Sequence, residues 1–167
     1  LALVLAARFK RPWPVIAGIL AATVLNHAAA AWVGAWVAGW IDPAWVRWGV
    51  AASFLAVAAW ALVPDKLDEA GEARPSRLGP FLATTIAFFL VEIGDKTQVA
   101  TVVLAAQYEP LWQVIAGTTL GMAAANVPVV LLGSRFAAKL PLKAARWAAA
   151  ALFAGLGLWV ALRGLPG

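Results

Sequence analysis

Residues 82–106 read LATTIAFFLVEIGDKTQVATVVLAA, an apolar stretch that carries a glutamate, an aspartate and a lysine near its middle. A helix of about 20 apolar residues is long enough to cross the roughly 30 Å of hydrocarbon in a bilayer. Glu92, Asp95 and Lys96 would lie at mid-depth of that helix, where an ionised carboxylate costs about 2.5–3.5 kcal/mol. The stretch therefore predicts a membrane helix whose charged residues are kept for a reason other than packing.

The rest of the chain has the composition of a membrane protein. Hydrophobic residues make up 63% of the 167 residues and charged residues 13%, and the mean hydropathy is +0.84. Soluble domains average about 25% charged residues. The net charge of +5 comes mostly from basic residues at the ends of apolar runs, which indicates orientation in a lipid bilayer rather than nucleic-acid binding. The lack of cysteine excludes disulfides and thiolate metal sites.

Apolar runs divide the chain into six predicted spans, so we expect an all-α integral membrane protein. We predict the fifth span as one helix over residues 79–106, and residues 1–7 as the end of a first span that begins before Leu1. The other four spans lie between charged residues, and the end charges of the shorter two can snorkel to the headgroups. These pairs are Arg11 and Asp42, Arg47 and Asp65, Glu109 and Arg135, and Arg146 and Arg163.

The distribution of basic residues predicts which side of the membrane each loop faces. Residues 64–77 read PDKLDEAGEARPSR and form a polar segment, which we predict to be a linker over residues 64–79. The loops after the first, third and fifth spans hold most of the lysines and arginines, and the opposite loops hold only Arg47 and Arg163. The positive-inside rule then places the linker in the cytoplasm and both chain ends outside. Most tryptophans fall near predicted span ends, as interface anchors do.

The chain also contains an internal repeat with an offset of 99 residues. VLAARF at 4–9 aligns with VLAAQY at 103–108, and WPVIAG at 13–18 aligns with WQVIAG at 112–117. Each copy would carry three spans, an odd number, so the second copy must enter the membrane from the opposite side. We therefore predict two inverted three-helix repeats, over residues 1–63 and 80–167, an arrangement typical of secondary transporters. The repeat places a partner of the EIGDKTQ stretch just upstream of Leu1.

The charged cluster suits a hard cation. On one continuous helix, Glu92 and Asp95 would share a face, and Lys96 could pair with Glu92. An internal Glu–Lys pair that only joins helices is one interpretation. The other is an ion or proton site, because carboxylate, hydroxyl and amide oxygens bind Ca²⁺, Mn²⁺ or Mg²⁺. Thr97 and Gln98 could add oxygen ligands, with Gln98 on the face of Asp95.

Several other residues are candidates for the pathway or for packing. Gly94 would allow a neighbouring helix to approach the backbone closely. His27 aligns with Asn126 in the repeat, so both halves place a polar side chain at the same depth of their middle helix, either lining the pathway or joining helices. Gly117 and Gly121 form a small-xxx-small pattern that predicts close helix packing. Asp42, beside Pro43, is predicted to cap a helix.

The segment from Glu92 to Thr97 resembles the E-x-G-D-K-T signature of the membrane cation exchangers found in bacteria, chloroplasts and the Golgi. GTTLGMAAANVPVVLLG at 117–133 also resembles the helix that follows the second motif of that family. The resemblance implies two such motifs in inverted three-helix halves, and transport of Ca²⁺ or Mn²⁺ against protons. It implies a multi-pass protein, which we expect in a bacterial inner (plasma) membrane.

These observations lead to one main functional hypothesis and an alternative. We expect a secondary transporter that exchanges Mn²⁺ or Ca²⁺ for protons, with no tightly bound cofactor. Once the cation leaves, bare negative charge in a low-dielectric cavity is unfavourable, so the carboxylates should take up protons. An exporter of amino acids or other small organic solutes on the same three-plus-three plan is the alternative. An intramembrane aspartyl protease is disfavoured, because no second aspartate lies inside a predicted span. The sequence leaves the oligomeric state open, a homo-oligomer included.

Overall fold

The computed structural model describes residues 1–63, 78–133 and 141–163, and these residues are helical with short connections. No strand occurs among them, so the prediction of an all-α protein is confirmed. The predicted linker lies outside the described residues, apart from Leu78 and Gly79. The helices are α1 (Ala2–Phe9), α2 (Pro12–Ala38), α3 (Pro43–Leu62), α4 (Pro80–Glu92), α5 (Lys96–Ala105), α6 (Leu111–Leu132) and α7 (Leu142–Arg163).

Four of these helices, α2, α3, α6 and α7, are long and apolar enough to cross a membrane. Their starts follow local sequence signals. Proline occupies the first turn of α2, α3 and α4, where its missing N–H group has no helical partner to lose. Asp42 caps α3, because its carboxylate accepts a hydrogen bond of 2.8 Å from the amide of Ala44. The predicted cap at Asp42 is confirmed.

The predicted fifth span is not one helix. α4 ends at Glu92 and α5 begins at Lys96, with residues 93–95 between them in a non-helical conformation. A 13-residue helix is about 20 Å long, so α4 alone is too short to cross the roughly 30 Å of hydrocarbon in a bilayer. The prediction that Glu92 and Asp95 share one helix face is therefore wrong.

Helix α2 is the centre of the packing and contacts α4, α5 and α6. Two glycines of α2 permit the closest approaches. A Cβ atom at Gly34 would lie 2.2 Å from the carbonyl oxygen of Val102, and one at Gly18 would lie 2.7 Å from that of Phe81. The predicted close packing at Gly117 and Gly121 is wrong, since neither has a described atom within 4 Å of such a Cβ.

Helices α3 and α7 form a second packed pair. The rings of Phe54 and Phe153 stack at its centre, with 6.1 Å between centroids and 25° between planes. The guanidinium of Arg47 donates hydrogen bonds to the carbonyls of Val160 and Ala161, in the last turn of α7. Arg47 was predicted to snorkel towards the headgroups. It is instead half-buried and satisfies carbonyls that a helix end leaves without partners.

The surface of the described chain is strongly apolar. All ten tryptophans are exposed, from Trp60 at 38% to Trp40 at 77%. Large exposed aliphatic side chains, such as Leu90 and Leu120, lie between them. A soluble protein rarely leaves so many large apolar side chains in water. This surface, together with the four long apolar helices, indicates an integral membrane protein in contact with lipid.

Candidate cation site

The candidate site is built around the break between α4 and α5. Gly94 adopts a φ angle of +82°, which is accessible to glycine but strained for other residues. The chain turns there, and the amide of Asp95 donates a hydrogen bond of 3.2 Å to the carbonyl of Glu92. The break therefore puts Glu92, the last residue of α4, close to Asp95, the N-cap residue of α5.

Asp95, Thr97 and Gln98 are held together by hydrogen bonds at the start of α5. Asp95 is the N-cap, and its carboxylate accepts from the Thr97 amide at 3.3 Å and from the Thr97 hydroxyl at 2.7 Å. The side-chain oxygen of Gln98 accepts from the amide of Gly94 at 2.6 Å. The structure thus brings three of the four predicted metal ligands together, but as a helix cap rather than as a face of one helix.

One carboxylate oxygen of Glu92 lacks a partner among the described residues. This atom is Oε2, and it is buried. The charge of Asp95 acts on it electrostatically. A buried carboxylate oxygen without a donor is costly unless a cation or a proton joins it.

His27 lies on α2 close to the same break. It is only 1% exposed, and neither ring nitrogen has a hydrogen-bond partner among the described residues. The neighbouring Asn26 donates a 3.1 Å hydrogen bond to the carbonyl of Phe89, one turn before Glu92. Asp95 interacts electrostatically with His27. Of the two predicted pathway residues, His27 is therefore the one that the fold brings to the motif.

Asn126 and Lys96 have other contacts. The half-buried amide of Asn126 donates to the carbonyl and to the sulfur of Met122, one turn back in its own helix. The ammonium of Lys96 donates a 2.8 Å hydrogen bond to the carbonyl of Val63 and lies 5.7 Å from the ring centroid of Trp60. Lys96 was expected to pair with Glu92 along one helix, and that geometry is wrong because the two residues belong to different helices.

In this conformation the described residues do not form a closed metal site. No three histidine, aspartate or glutamate side chains of residues 1–63, 78–133 and 141–163 are grouped so that they could hold an ion. Within that part of the chain, the motif offers the free oxygen of Glu92, and the Asp95 carboxylate bound to Thr97. A cation would bind the Asp95 carboxylate only if it shared that carboxylate with Thr97, or if the hydrogen bonds from Thr97 were released.

Sequence reasoning missed two features of this region. The first is the helix break, although Asp95 followed by Gln98 three residues later is a typical helix-start pattern. The second is a set of buried polar side chains without partners in the described chain, for which periodicity gives no signal. These are the hydroxyls of Thr23, Thr84 and Thr119, and the side-chain amide of Gln107.

Comparison with known proteins indicates the family of this chain. The family model described as "Divalent cation/proton antiporter GDT1" matches residues 1–69 and 80–166. A protein of Vibrio cholerae serotype O1 (strain ATCC 39541 / Classical Ogawa 395 / O395), named "Putative manganese exporter", is 54% identical over 154 residues. The alignment covers 92% of this chain and 76% of that protein. No solved structure matches the chain.

The family match agrees with the motif at the helix break and with the long apolar helices. The matched blocks include Glu92, Asp95 and His27, and almost all of the described residues. The family consists of transporters and is not a class of enzymes, which agrees with the expectation that the chain is not an enzyme. This chain is therefore a membrane protein of the GDT1 family of divalent cation/proton antiporters.

Proposed function

We propose that this chain exchanges Mn²⁺ for protons by alternating access, and that the cation binds to Glu92 and Asp95. Thr97 and Gln98 are weaker candidate ligands. The observation that carries the proposal is the buried, unpartnered carboxylate oxygen of Glu92 at a helix break inside an apolar segment. Discontinuous membrane helices of this kind form the substrate sites of many secondary transporters.

Charge explains why the exchange is coupled. Glu92, Asp95 and Lys96 together carry a net charge of −1 when all three are ionised, and a second motif would bring the total to −2. A divalent cation neutralises that charge. After the cation leaves, the carboxylates are stabilised by taking up protons, because bare charge is unfavourable in a low-dielectric cavity. If only the metal-loaded and the protonated forms reorient, then metal and protons move in opposite directions.

Alternating access requires two conformations of similar energy, which inverted repeats provide. Two observations support the predicted repeats. Phe54 and Phe153, which are 99 residues apart, stack on each other as equivalent residues do near a two-fold axis. The equivalent helices α2 and α6 pack together, as do α3 and α7.

The preference for Mn²⁺ over Ca²⁺ rests on two supports. The Vibrio relative is named as a manganese exporter. His27 is buried near Asp95 with both nitrogens free of hydrogen bonds in the described chain. Imidazole is a good ligand for transition metals, whereas Ca²⁺ takes oxygen ligands. The family match favours a cation over the organic solute of the alternative hypothesis.

The same proposal includes the setting of the chain in the cell. The basic residues at the ends of the spans favour a cytoplasmic position for the 64–79 segment, and we propose the bacterial inner membrane as the location. In that orientation, export removes Mn²⁺ from the cytoplasm while protons enter.

Reconstitution of the full-length protein in liposomes with an internal pH dye tests the exchange. An imposed Mn²⁺ gradient should move protons, and Glu92→Gln should slow that flux by roughly tenfold to a hundredfold, since it removes a charged ligand. Asp42→Asn is the matched control, because it removes a carboxylate outside the site and can still cap α3.

Two results would contradict the proposal. Mn²⁺ movement without any proton flux would exclude the exchange. Equal rates for Glu92→Gln and the parent protein, both folded in detergent, would remove Glu92 from the site.

A further inference from the structure

A cavity lies at the C-terminal end of α5, away from the helix break. It has a volume of about 480 Å³ and is lined by residues that include Gln107 and Glu109. The ten residues of α5 make it about 15 Å long, which separates this cavity from Asp95. We call it the 107–109 cavity.

The side chain of Gln107 points to a missing ligand. Gln107 is 9% exposed, and neither its oxygen nor its nitrogen has a hydrogen-bond partner in the described part of the chain. Buried amide groups nearly always have partners, because leaving one unpaired costs about 1–3 kcal/mol in protein mutational data. An unpaired amide that lines a cavity therefore indicates that a polar species occupies the cavity while the protein functions.

The other lining groups select a positive ligand. The C-terminal ends of two helices line the cavity, with Ala38 and Gly39 at the end of α2 and Ala105 and Ala106 at the end of α5. A helix C-terminus carries roughly half a negative charge. Glu109 adds a carboxylate, and neither lysine nor arginine occurs among the lining residues described. Oxygen acceptors with negative charge are the environment that hard divalent cations prefer.

The equivalent positions of the first repeat have the opposite character. Gln107 and Glu109 align with Arg8 and Lys10, which lie at the C-terminal end of α1. Membrane orientation alone explains basic residues at the cytoplasmic end. It does not explain the buried, unpaired amide or the carboxylate at the opposite end. The two ends of the predicted pathway thus differ in charge.

We propose that the 107–109 cavity is a second divalent-cation site, where the ion released from Glu92 and Asp95 is held before it leaves the protein. This proposal rests on the transport function proposed above for the direction of movement, but the binding itself does not. Mn²⁺ binds the Gln107 oxygen and the Glu109 carboxylate, and the two helix ends stabilise its charge.

Measurement of Mn²⁺ binding to the full-length protein in detergent tests the site. Binding is detected as a loss of the EPR signal of free Mn²⁺. The Glu92→Gln/Asp95→Asn variant should still bind Mn²⁺, because the 107–109 cavity is intact. Adding Gln107→Leu and Glu109→Gln to that variant should weaken the remaining binding by about tenfold or more. Adding Asp42→Asn instead should leave it unchanged, since Asp42 is a carboxylate that does not line the cavity.

A second variant tests whether a loss of binding results from misfolding. Glu109 is exposed, so Glu109→Lys, which copies the residue of the other repeat, should fold and should also weaken the residual binding by about tenfold or more. The proposal is overturned if Glu92→Gln/Asp95→Asn binds no Mn²⁺, if the cavity variants retain the binding, or if Asp42→Asn removes it equally. None of these binding results changes the expected outcome of the exchange assay. Failure of the exchange proposal would be seen separately, as Mn²⁺ movement without proton flux through the parent protein.

Discussion

At the scale of single residues, the site depends on which polar groups are left without partners. Asp95 is engaged by Thr97, whereas one buried oxygen of Glu92 and both buried ring nitrogens of His27 have no hydrogen-bond partner among the described residues. Such groups destabilise the folded state unless a ligand or a proton completes them. Their positions are therefore better guides to the bound cation than the presence of charge in the sequence.

His27 should determine the preference between metals. We expect His27→Asn to weaken Mn²⁺ binding by roughly tenfold and to change Ca²⁺ binding little, because it replaces a nitrogen ligand with an oxygen ligand. Asparagine is chosen because it occupies the equivalent position 126. Competition between the two ions in transport measures this change. Pulsed EPR of bound Mn²⁺ should show nitrogen coupling that is absent in the variant, and an equal loss for both ions would make His27 a structural residue.

Gly94 should be required for the turn between the half-helices. Its φ of +82° costs about 1–2 kcal/mol for a residue with a Cβ atom, so Gly94→Ala should lower the free energy of unfolding by that amount. Transport should fall as well, because the turn positions Glu92 and Asp95. Gly155→Ala is the control, since it lies in α7 with open space around it and should be neutral or stabilising. Denaturation followed by tryptophan emission compares the two, and equal stabilities would contradict the role of Gly94.

At the scale of helices, contact between α2 and α5 holds the second half-helix in place. A methyl group at Gly34 would collide with the backbone of Val102, which cannot move without shifting α5. Gly34→Ala should therefore destabilise the protein by roughly 1–3 kcal/mol. Gly117→Ala has no described atom to meet and should not destabilise it. The same denaturation measurement separates these outcomes, and a neutral Gly34→Ala would show that the contact is loose.

The helices also show what could be predicted from the sequence and what could not. Hydropathy located the four long helices, because crossing a bilayer requires a long apolar run whatever its neighbours. It could not reveal the break at residues 93–95, since the flanks are apolar on both sides and only Gly94 and Asp95 mark the turn. Small residues at helical spacing predicted packing at Gly117 and Gly121, but the contacts occur at Gly18 and Gly34. Spacing shows where a helix can approach, and only the fold shows which partner is present.

The motif residues were identified from the sequence, but their geometry was not. Charge in an apolar run singled out Glu92, Asp95 and Lys96. Their contacts depend on the turn at Gly94, which sends Lys96 towards Val63 and leaves Oε2 of Glu92 without a partner in the described part of the chain. Gln107 gave no sequence signal, because an amide at a helix end is ordinarily solvated.

At the scale of the whole molecule, the predicted orientation can be tested with single cysteines, since the chain has none of its own. Gln113 and Lys143 are exposed near the starts of α6 and α7, on opposite sides of one 22-residue crossing. An impermeant maleimide added to intact cells should label Gln113→Cys and should label Lys143→Cys only after the cells are opened. The reverse pattern would invert the topology, and labelling of both in intact cells would contradict the crossing by α6.

The stack of Phe54 on Phe153 has an evolutionary consequence. On the proposed symmetry, the two residues descend from one ancestral phenylalanine, and their contact is the kind that identical subunits make across a two-fold axis. The ancestor would then have been a half-length polypeptide that inserted in both orientations and dimerised with its own inverted copy. Gene duplication would have freed the two copies to diverge, which explains how one copy came to have Arg8 and Lys10 where the other has Gln107 and Glu109. A symmetric dimer would present the same residues on both sides of the membrane, whereas the fused chain presents different residues on each side.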